Sequence, residues 1–373
     1  MNLAETDGSE EFSTAERARA RAYHRPLYLA LLLDVALAAA VLAALAWSPL
    51  GDRLFSPLLS LPPVAGAAAY SALVTALSSI VRTPPAFWRG WWRERRWGFS
   101  TQGARGWLAD RAKGVAVSLV LGAAAWTGAV ALARALPGWW ALPAGTALAL
   151  AVLFLSFVAP VVLEPIFSRF RPLEDETLAA ELRLLSQRAG VPVRRVLVAD
   201  ASRRTTKVNA YVSGLGRTRR VVLFDTLLAA ADPGAVRVVV AHELGHRRDR
   251  HVAKLTVLAM AGAATAVAVL WAVLGTRIGD PRTLPEALLL LLALEFPAAP
   301  ALSWLSRRFE RAADRCSLDL TEAPAAFARA HVELARRNLS DLDPPRLVYL
   351  LLFSHPTPPE RLALGRAWRA AHR

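Results

Sequence analysis

Two histidines one helical turn apart are the residues of this chain whose types and spacing most directly indicate chemistry. On an α-helix, His242 and His246 project from the same face, so both imidazoles can bind one Zn²⁺. Glu243 follows the first histidine, where its carboxylate can take a proton from a metal-activated water and return it to a leaving amine. This H-E-x-x-H motif predicts metal-dependent hydrolysis of an amide bond.

The residues before the motif predict the helix that the spacing requires. Asp232 and Pro233 are typical of an N-cap and a first-turn proline, so the helix that they begin carries both histidines well inside it. The alternative is a pair of surface histidines on an ordinary helix. The motif is demanding in residue type and spacing, which disfavours that alternative.

A catalytic zinc site needs a third protein ligand while one position stays open. The pattern H-E-x-x-H-x-x-G-x-x-H fails here, because Asp249 and Val252 occupy its last two positions and His251 is one residue out of register. A glutamate from a later helix is the other solution. Glu310 and Asp314 share a helix face, so Glu310 can bind the metal while Asp314 orients a ligand histidine. Surface salt bridges are the alternative interpretation of this charged run.

The composition places much of the chain in a membrane. Hydrophobic residues make up 54% of the 373 residues and the mean hydropathy is +0.32, values too apolar for an ordinary soluble protein. Apolar runs of roughly 20 residues predict about six membrane spans. These runs are 27–47, 61–81, 115–136, 139–163, 255–275 and 284–305.

The distribution of basic residues predicts the orientation of these spans. The segment before the first span and the loop 82–113 are rich in arginine, whereas the turns near Asp52 and Gly138 and the link 276–283 hold few positive charges. Lys and Arg concentrate in cytoplasmic loops. We therefore expect an integral, multi-pass protein of the cell membrane with both termini and the active site in the cytoplasm.

The formal net charge of +15 and the pI of about 11.2 invite a nucleic-acid interpretation. The arginines, however, flank apolar spans, where they anchor helices and contact anionic lipid. The predicted partners are the lipid bilayer and a peptide or protein substrate, including lipidated or membrane-embedded ones, and no nucleic acid. The one cysteine, Cys316, excludes an intramolecular disulfide and a cysteine-based metal cluster.

The expected fold is mainly α: a polytopic membrane helix bundle that encloses a cavity, with a small cytoplasmic α+β zinc-peptidase module. In that module, 173–190 is predicted to be a helix, and 193–199, 207–213 and 219–224 to be strands. The zinc helix is expected to continue through His251 into the fifth span. The expected regions are a disordered cytoplasmic tail (1–26), a four-span membrane region with cytoplasmic loop 82–113 (27–165), the α+β module and zinc helix (166–251), a two-span membrane region (252–305) and a cytoplasmic C-terminal region with the third ligand (306–373).

Two other stretches are candidates for substrate contact. The strand from Asn209 to Ser213 can be an edge along which an extended peptide pairs, although an ordinary buried strand fits the pattern equally well. Near the C-terminus, His355 lies in a stiff proline-rich turn where it can donate to an oxyanion, with Arg361 close by. From the residues alone, a structural cap is the favoured interpretation of that turn.

Taken together, these motifs resemble the type I CAAX prenyl endopeptidases, integral-membrane zinc proteases that cut near the C-terminus of isoprenylated peptides. The similar stretches are 94–113, 209–211, 221–228, 241–251, 306–314 and 354–361. The resemblance implies three ligands for one zinc ion per chain: His242, His246 and Glu310. It implies that Glu243 is the general base and that Asp314 supports catalysis by orienting a ligand. It also implies a catalytic role for His355 and substrate binding by Asn209 and Arg361.

Members of this family enclose a large water-filled chamber, and the eukaryotic proteins have seven spans where this sequence predicts six. A quality-control protease of the HtpX type is one alternative, but that group has fewer spans before its zinc helix. A transporter or receptor with a vestigial metal site is an alternative of another class. The alanine- and arginine-rich composition suggests a bacterial source, in which an unmodified peptide or membrane-protein tail is the expected substrate.

Overall fold

The computed structural model of the chain describes residues 11–159, 162, 164–214 and 219–372. In this part of the chain, six helices are long and apolar enough to cross a membrane, as the apolar runs predict. Their bounds are Thr14–Trp47, Pro63–Arg96, Ala104–Ala135, Ala141–Val158, His251–Gly279 and Pro281–Thr321. The first and the last extend well beyond the apolar run that predicted each.

The helices and strands follow one another as membrane helices, a mixed module, and membrane helices again. The first membrane region contains α1 (Thr14–Trp47), α2 (Pro49–Phe55), α3 (Pro63–Phe87), a π-helical turn (Trp88–Trp92), α4 (Arg93–Arg96), α5 (Ala104–Ala135) and α6 (Ala141–Val158). The module contains α7 (Glu164–Phe167), β1 (Phe170–Pro172), α8 (Glu176–Arg188), β2 (Arg195–Ala199), β3 (Ala210–Ser213), β4 (Arg220–Phe224), α9 (Asp225–Ala230) and α10 (Pro233–Arg248). The remainder contains α11 (His251–Leu274), α12 (Leu284–Thr321), α13 (Pro324–Asn338), α14 (Arg346–Leu352) and α15 (Pro358–Ala371).

The N-terminal segment is more ordered than the sequence predicts. A capping box begins α1, because Ser13 accepts a hydrogen bond from the Glu16 backbone while Glu16 binds the Ser13 backbone in return. The expectation of a disordered tail through residue 26 is therefore wrong from Thr14 onward, and residues 1–10 lie outside the described part. The predicted loop 82–113 is also mostly helical, because α3 and α5 extend into it from both sides.

The module is built on a four-stranded sheet with the order β1-β2-β4-β3. The three predicted strands are present, and β1, which the sequence did not reveal, adds three residues antiparallel to β2. Strands β2 and β4 are parallel, and β3 pairs antiparallel with β4 only. One face of the sheet packs with α8 and α10 in a buried apolar cluster that includes Leu182, Leu223 and Leu244. Strand β3 is therefore an edge strand held close to the zinc helix.

The zinc helix ends before the fifth span, which corrects the expectation of one continuous helix. As predicted, α10 begins with Asp232 as N-cap and Pro233 in its first turn. It ends at Arg248, and Arg250 then adopts a left-handed backbone conformation (φ 55°) before α11 starts at His251. The chain thus changes direction just after the second histidine of the motif, at the boundary between module and membrane helix.

Helix α12 joins the last span to the metal site without interruption. The expected regional boundary at residue 306 falls inside this helix, so Glu310 lies on the same helix that crosses the membrane. Gly245 on α10 allows the two helices to approach closely, because a Cβ there would lie 2.9 Å from Cys316 Cβ and 3.0 Å from Ala313 Cα. The glycine of the motif therefore brings the glutamate within reach of the histidines.

Candidate metal centre

Three side chains from two helices converge on one point. His242 Nε2 lies 3.1 Å from His246 Nε2 and 3.3 Å from Glu310 Oε2. His246 Nε2 lies 3.2 Å from Glu310 Oε1. All three groups offer a ligand atom within 4.8 Å of one another. The structure therefore brings together the two histidines of α10 and the glutamate of α12 that the sequence singled out.

The donor set and its spacing fit a catalytic zinc site. Tetrahedral zinc bonds of about 2.0–2.1 Å place ligand atoms about 3.3–3.4 Å apart, close to the separations of 3.1, 3.2 and 3.3 Å seen here. Two imidazoles and one carboxylate also match the ligands that zinc uses when a fourth position stays open for chemistry. Both the spacing of the ligand atoms and their chemical types thus fit a zinc ion.

Asp314 lies behind the first histidine and controls its orientation. Its Oδ1 accepts a hydrogen bond from His242 Nδ1 at 2.8 Å, and its side chain is fully buried. Burial disfavours protonation of His242, but Asp314 and Glu310 outweigh it and raise the pKa of the imidazole to about 10. Because Asp314 holds the proton on Nδ1, Nε2 is left to face Glu310 and the metal position.

The guanidinium of Arg361 joins the two carboxylates of α12. One nitrogen donates to Asp314 Oδ1 at 2.8 Å and the other to Glu310 Oε2 at 2.7 Å. The side chain is only 13% exposed, so water competes little with these bonds. These contacts are with a candidate metal ligand and with the aspartate that bonds His242, which gives Arg361 the geometry of a positioning residue. The predicted substrate contact remains a prediction.

The sequence prediction omitted His251 as a site residue, although its place five residues after His246 was a signal. Its Nδ1 lies 3.1 Å from His246 Nδ1, and its ring stacks on Phe309 at 4.2 Å between centroids. A zinc-binding His246 uses Nε2 and carries its proton on Nδ1, so His251 acts as the acceptor for that proton. The break at Arg250 turns the first residue of α11 back toward the motif and makes this contact.

Glu243 follows His242 in the motif and lines the same cavity as His242 and Glu310, two of the three candidate metal ligands. Burial raises the pKa of its carboxyl group, and the two motif histidines counteract this in part. A raised pKa suits a group that must accept a proton and then release it. The position and the environment of Glu243 therefore match those of a general base.

His355 reaches the site from the C-terminal region. Its Nδ1 lies 2.8 Å from Glu310 Oε2, and its side chain is 63% exposed to the cavity side of the turn. The preceding helix α14 is held by α12, because Ser303 and the buried Arg307 donate to backbone carbonyls at its C-terminal end. His355 thus combines an anchored backbone with an accessible ring.

A cavity of about 680 Å³ connects these groups to the edge strand. Its wall includes His242, Glu243, Glu310, His355 and Arg361 together with Asn209. On the membrane side, residues of α1 and Arg89 complete it. Six of the eight predicted site residues line one cavity. Of the other two, His246 lies beside His242 and Glu310, and Asp314 lies directly behind His242.

Comparison with known proteins decides the family. The model for peptidase family M48 matches residues 172–369, more than half of the chain, and includes every predicted site residue. The chain belongs to peptidase family M48. A second model, described as CAAX prenyl protease N-terminal with five membrane helices, matches residues 9–169, where the described residues contain four candidate spans. This M48 protein is therefore an integral, multi-pass membrane metalloprotease that resembles the CAAX prenyl proteases, as predicted, and the two alternatives are not supported.

Individual relatives of this M48 protein agree. It is 26% identical to CAAX prenyl protease 1 of Saccharomyces cerevisiae over 80% of this chain and 72% of that protein. It is 32% identical to the uncharacterised metalloprotease YhfN of Bacillus subtilis, over 56% of this chain and 52% of that protein, so it spans about half the length of that relative. The crystal structure of S. mikatae Ste24p shares the fold, with a TM-score of 0.84 at 23% identity over 97% of this chain and 93% of that one.

Proposed function

We propose that this M48 protein is a zinc metalloendopeptidase that cuts peptide segments presented to its cavity at the cytoplasmic face of the membrane. The observation that carries the proposal is the convergence of two imidazoles and one carboxylate within 4.8 Å, beside Glu243 and at the wall of a 680 Å³ cavity. A structural zinc site would use all four ligand positions and would not need a neighbouring base.

One zinc ion per chain, held by His242, His246 and Glu310, would supply a Lewis acid that lowers the pKa of water and polarises the scissile carbonyl. Glu243 takes the proton of the attacking water and delivers it to the leaving amine. Asp314 keeps the His242 ring in its binding orientation through the 2.8 Å hydrogen bond. Each of these tasks is assigned to a residue whose position matches it.

His355 is the candidate for transition-state stabilisation. Its ring is accessible and held by an anchored turn, so a hydrogen bond to the developing oxyanion costs little reorganisation. In the structure its Nδ1 contacts Glu310. We assign it to catalysis because its ring lines the cavity beside Glu310, and as an imidazolium it donates to Glu310 through Nδ1 and to the oxyanion through Nε2.

Strand β3 is the proposed docking edge for the substrate backbone. It pairs with β4 on one side only, and Asn209 at its start lines the cavity. The Asn209 side chain accepts a hydrogen bond from the Ala210 backbone through Oδ1, so its Nδ2 can donate to a substrate carbonyl. Addition of an extended peptide to such an edge holds the scissile bond by main-chain contacts whatever its sequence.

The substrate class proposed is a peptide or the exposed tail of a membrane protein. The relatives named CAAX prenyl protease raise the question of a lipid on that peptide. Matched peptides with and without a C-terminal isoprenylated cysteine, cleaved by the same preparation, decide whether the lipid is needed. Equal kcat/KM for both peptides would show that the lipid is dispensable.

The decisive experiment compares wild-type protein with Glu243→Gln. Glu243→Gln should retain one zinc per chain and lose on the order of 100-fold or more in turnover, because the metal ligands remain while the base is removed. Glu310→Ala, as the matched ligand variant, should lose zinc as well. Undiminished turnover in Glu243→Gln, or full zinc occupancy in Glu310→Ala, would refute the assigned roles.

A further inference from the structure

The alternation of hydrogen bonds along β3 shows which of its backbone groups face away from the sheet. The Phe224 amide donates to Asn209 O, so Asn209 and, two residues on, Tyr211 are bonded to β4. In an antiparallel pair the intervening residues point their N–H and C=O groups outward. The outward-facing residues are therefore Val208, which lies two residues before the strand begins, and Ala210 and Val212 of β3.

The first of these outward residues is already paired, by a side chain from outside the module sheet. The Val208 amide donates to Asn338 Oδ1 at 2.9 Å, and Asn338 Nδ2 donates to Val208 O at 3.0 Å. The side-chain amide of Asn338 thus makes the two bonds that one residue of an added strand would make. Val208 is consequently closed to a substrate.

The other end of the edge is closed on its carbonyl side. Arg247, which follows the second motif histidine, donates through Nε to Val212 O at 3.2 Å. Between the two ends, the Ala210 amide is bonded to Asn209 Oδ1. Within the described part of the chain, the outward groups left without a bonding partner are therefore Ala210 O and Val212 N–H.

Helix packing explains why Asn338 stands at this place. It is the last residue of α13, whose Phe327 and Ala330 pack in a buried cluster with Ala235 and Val238 of the zinc helix. The residue after it, Leu339, has a left-handed conformation, and its carbonyl oxygen lies 2.7 Å from His24 Nε2 of α1. Asn338 is thus held against the edge strand, and it lines the same cavity as His242 and Glu310.

We propose that Asn338 is a specificity-determining residue that sets the register and the length of substrate pairing along β3. By closing Val208, it limits the substrate to two backbone hydrogen bonds, one to Ala210 O and one from Val212 N–H. Arg247 limits the pairing at the other end. This inference rests on the proposed docking of substrate at β3. It adds which substrate N–H groups can form hydrogen bonds with that edge.

Of the two free groups, only Ala210 O is an acceptor, so substrate pairing uses one substrate N–H, which donates to Ala210 O. This holds whether the peptide runs parallel or antiparallel to β3. If Val208 O becomes free, a second substrate N–H should donate to it. Since outward groups recur every second residue, that N–H lies two residues from the first along the peptide. The number and spacing of the substrate N–H groups needed for binding therefore show whether Val208 O is bonded by Asn338 or open to the substrate.

The test is a backbone-ester scan of a peptide. The probe is the decapeptide that wild-type protein cleaves fastest from a random library, with each N–H replaced in turn by an ester oxygen. Its affinity is measured with zinc-loaded Glu243→Gln, alone and combined with Asn338→Ala. Arg329→Ala, an exposed substitution on the same helix, is the control, and zinc content and thermal stability are measured throughout.

With Asn338 present, one ester position should weaken binding by about 5-fold, the value of one lost hydrogen bond. With Asn338→Ala, a second sensitive position should appear two residues away, and Arg329→Ala should leave the pattern unchanged. If Asn338→Ala proves unstable, Asn338→Ser serves instead, because its shorter side chain cannot reach both Val208 N–H and Val208 O.

The possible failures are distinguishable. An identical scan with and without Asn338, or two sensitive positions already present with it, would overturn the role of Asn338 while leaving edge docking intact. A scan with no sensitive position in any variant would refute edge docking itself. A library from which nothing is cleaved would refute the proposed peptidase function.

Discussion

Replacement of Arg361 by methionine separates a positioning role from a substrate-binding role. The guanidinium bonds Glu310 at 2.7 Å and Asp314 at 2.8 Å, and the side chains of the three residues are 13%, 6% and 0% exposed. Methionine fills most of the same space without a charge. The substitution therefore leaves two buried carboxylates without their shared cation.

The expected cost follows from these two contacts. A hydrogen bond to a charged group contributes about 1.5–3 kcal/mol, so two of them give about 3–6 kcal/mol. Removal of one partner from a buried ion pair costs about 3–5 kcal/mol, which agrees. We expect Arg361→Met to destabilise the zinc-free protein by about 3–5 kcal/mol. Because Glu310 is no longer held, the substitution should also weaken zinc binding about 10–100-fold.

The assay measures unfolding of the zinc-free protein in detergent, zinc affinity by competition with a chelator, and kcat and KM at saturating zinc. Arg311→Met is the matched control on α12, because its pair with Glu360 is 3.5 Å long and its side chain is 43% exposed, so it should cost less than about 1 kcal/mol. A raised KM with wild-type stability and zinc affinity would instead show that Arg361 contacts substrate.

Three further outcomes are expected. Val212→Pro should raise KM at unchanged zinc content, because it removes an N–H that faces away from the sheet. Tyr211→Pro should also unfold the sheet, because the Tyr211 N–H bonds to β4. Equal damage by both prolines would refute edge docking. His251→Phe preserves the aromatic stack and should weaken zinc binding about 10-fold or more, and an unchanged affinity would remove it from the site. Cysteines replacing His372 and Trp139 should be labelled from the cytoplasmic and the opposite side respectively, and labelling from one side would contradict the proposed topology.

The spacing of a few residues was sufficient to predict the metal centre because an α-helix has a known period. His242 and His246 had to share a face once α10 formed, and Asp232 with Pro233 marked where it begins. The six spans were equally readable, because a helix that crosses lipid needs about 20 apolar residues whatever its neighbours. These features depend on local sequence and on the solvent around it.

The features that only tertiary structure decided are contacts between elements far apart in the chain. Arg361 lies 47 residues from Asp314 and bonds it, and Asn338 lies 130 residues from Val208, whose backbone groups it bonds. No period in the sequence relates such pairs, because the packing angle of one helix on another determines them. The turn at Arg250 likewise brought His251 back to the zinc helix, although a continuous helix was the simpler expectation. The sequence by itself thus determined which residues can bind metal and which segments cross the membrane, and packing determined how those residues are oriented and how much of the edge strand is left for a substrate.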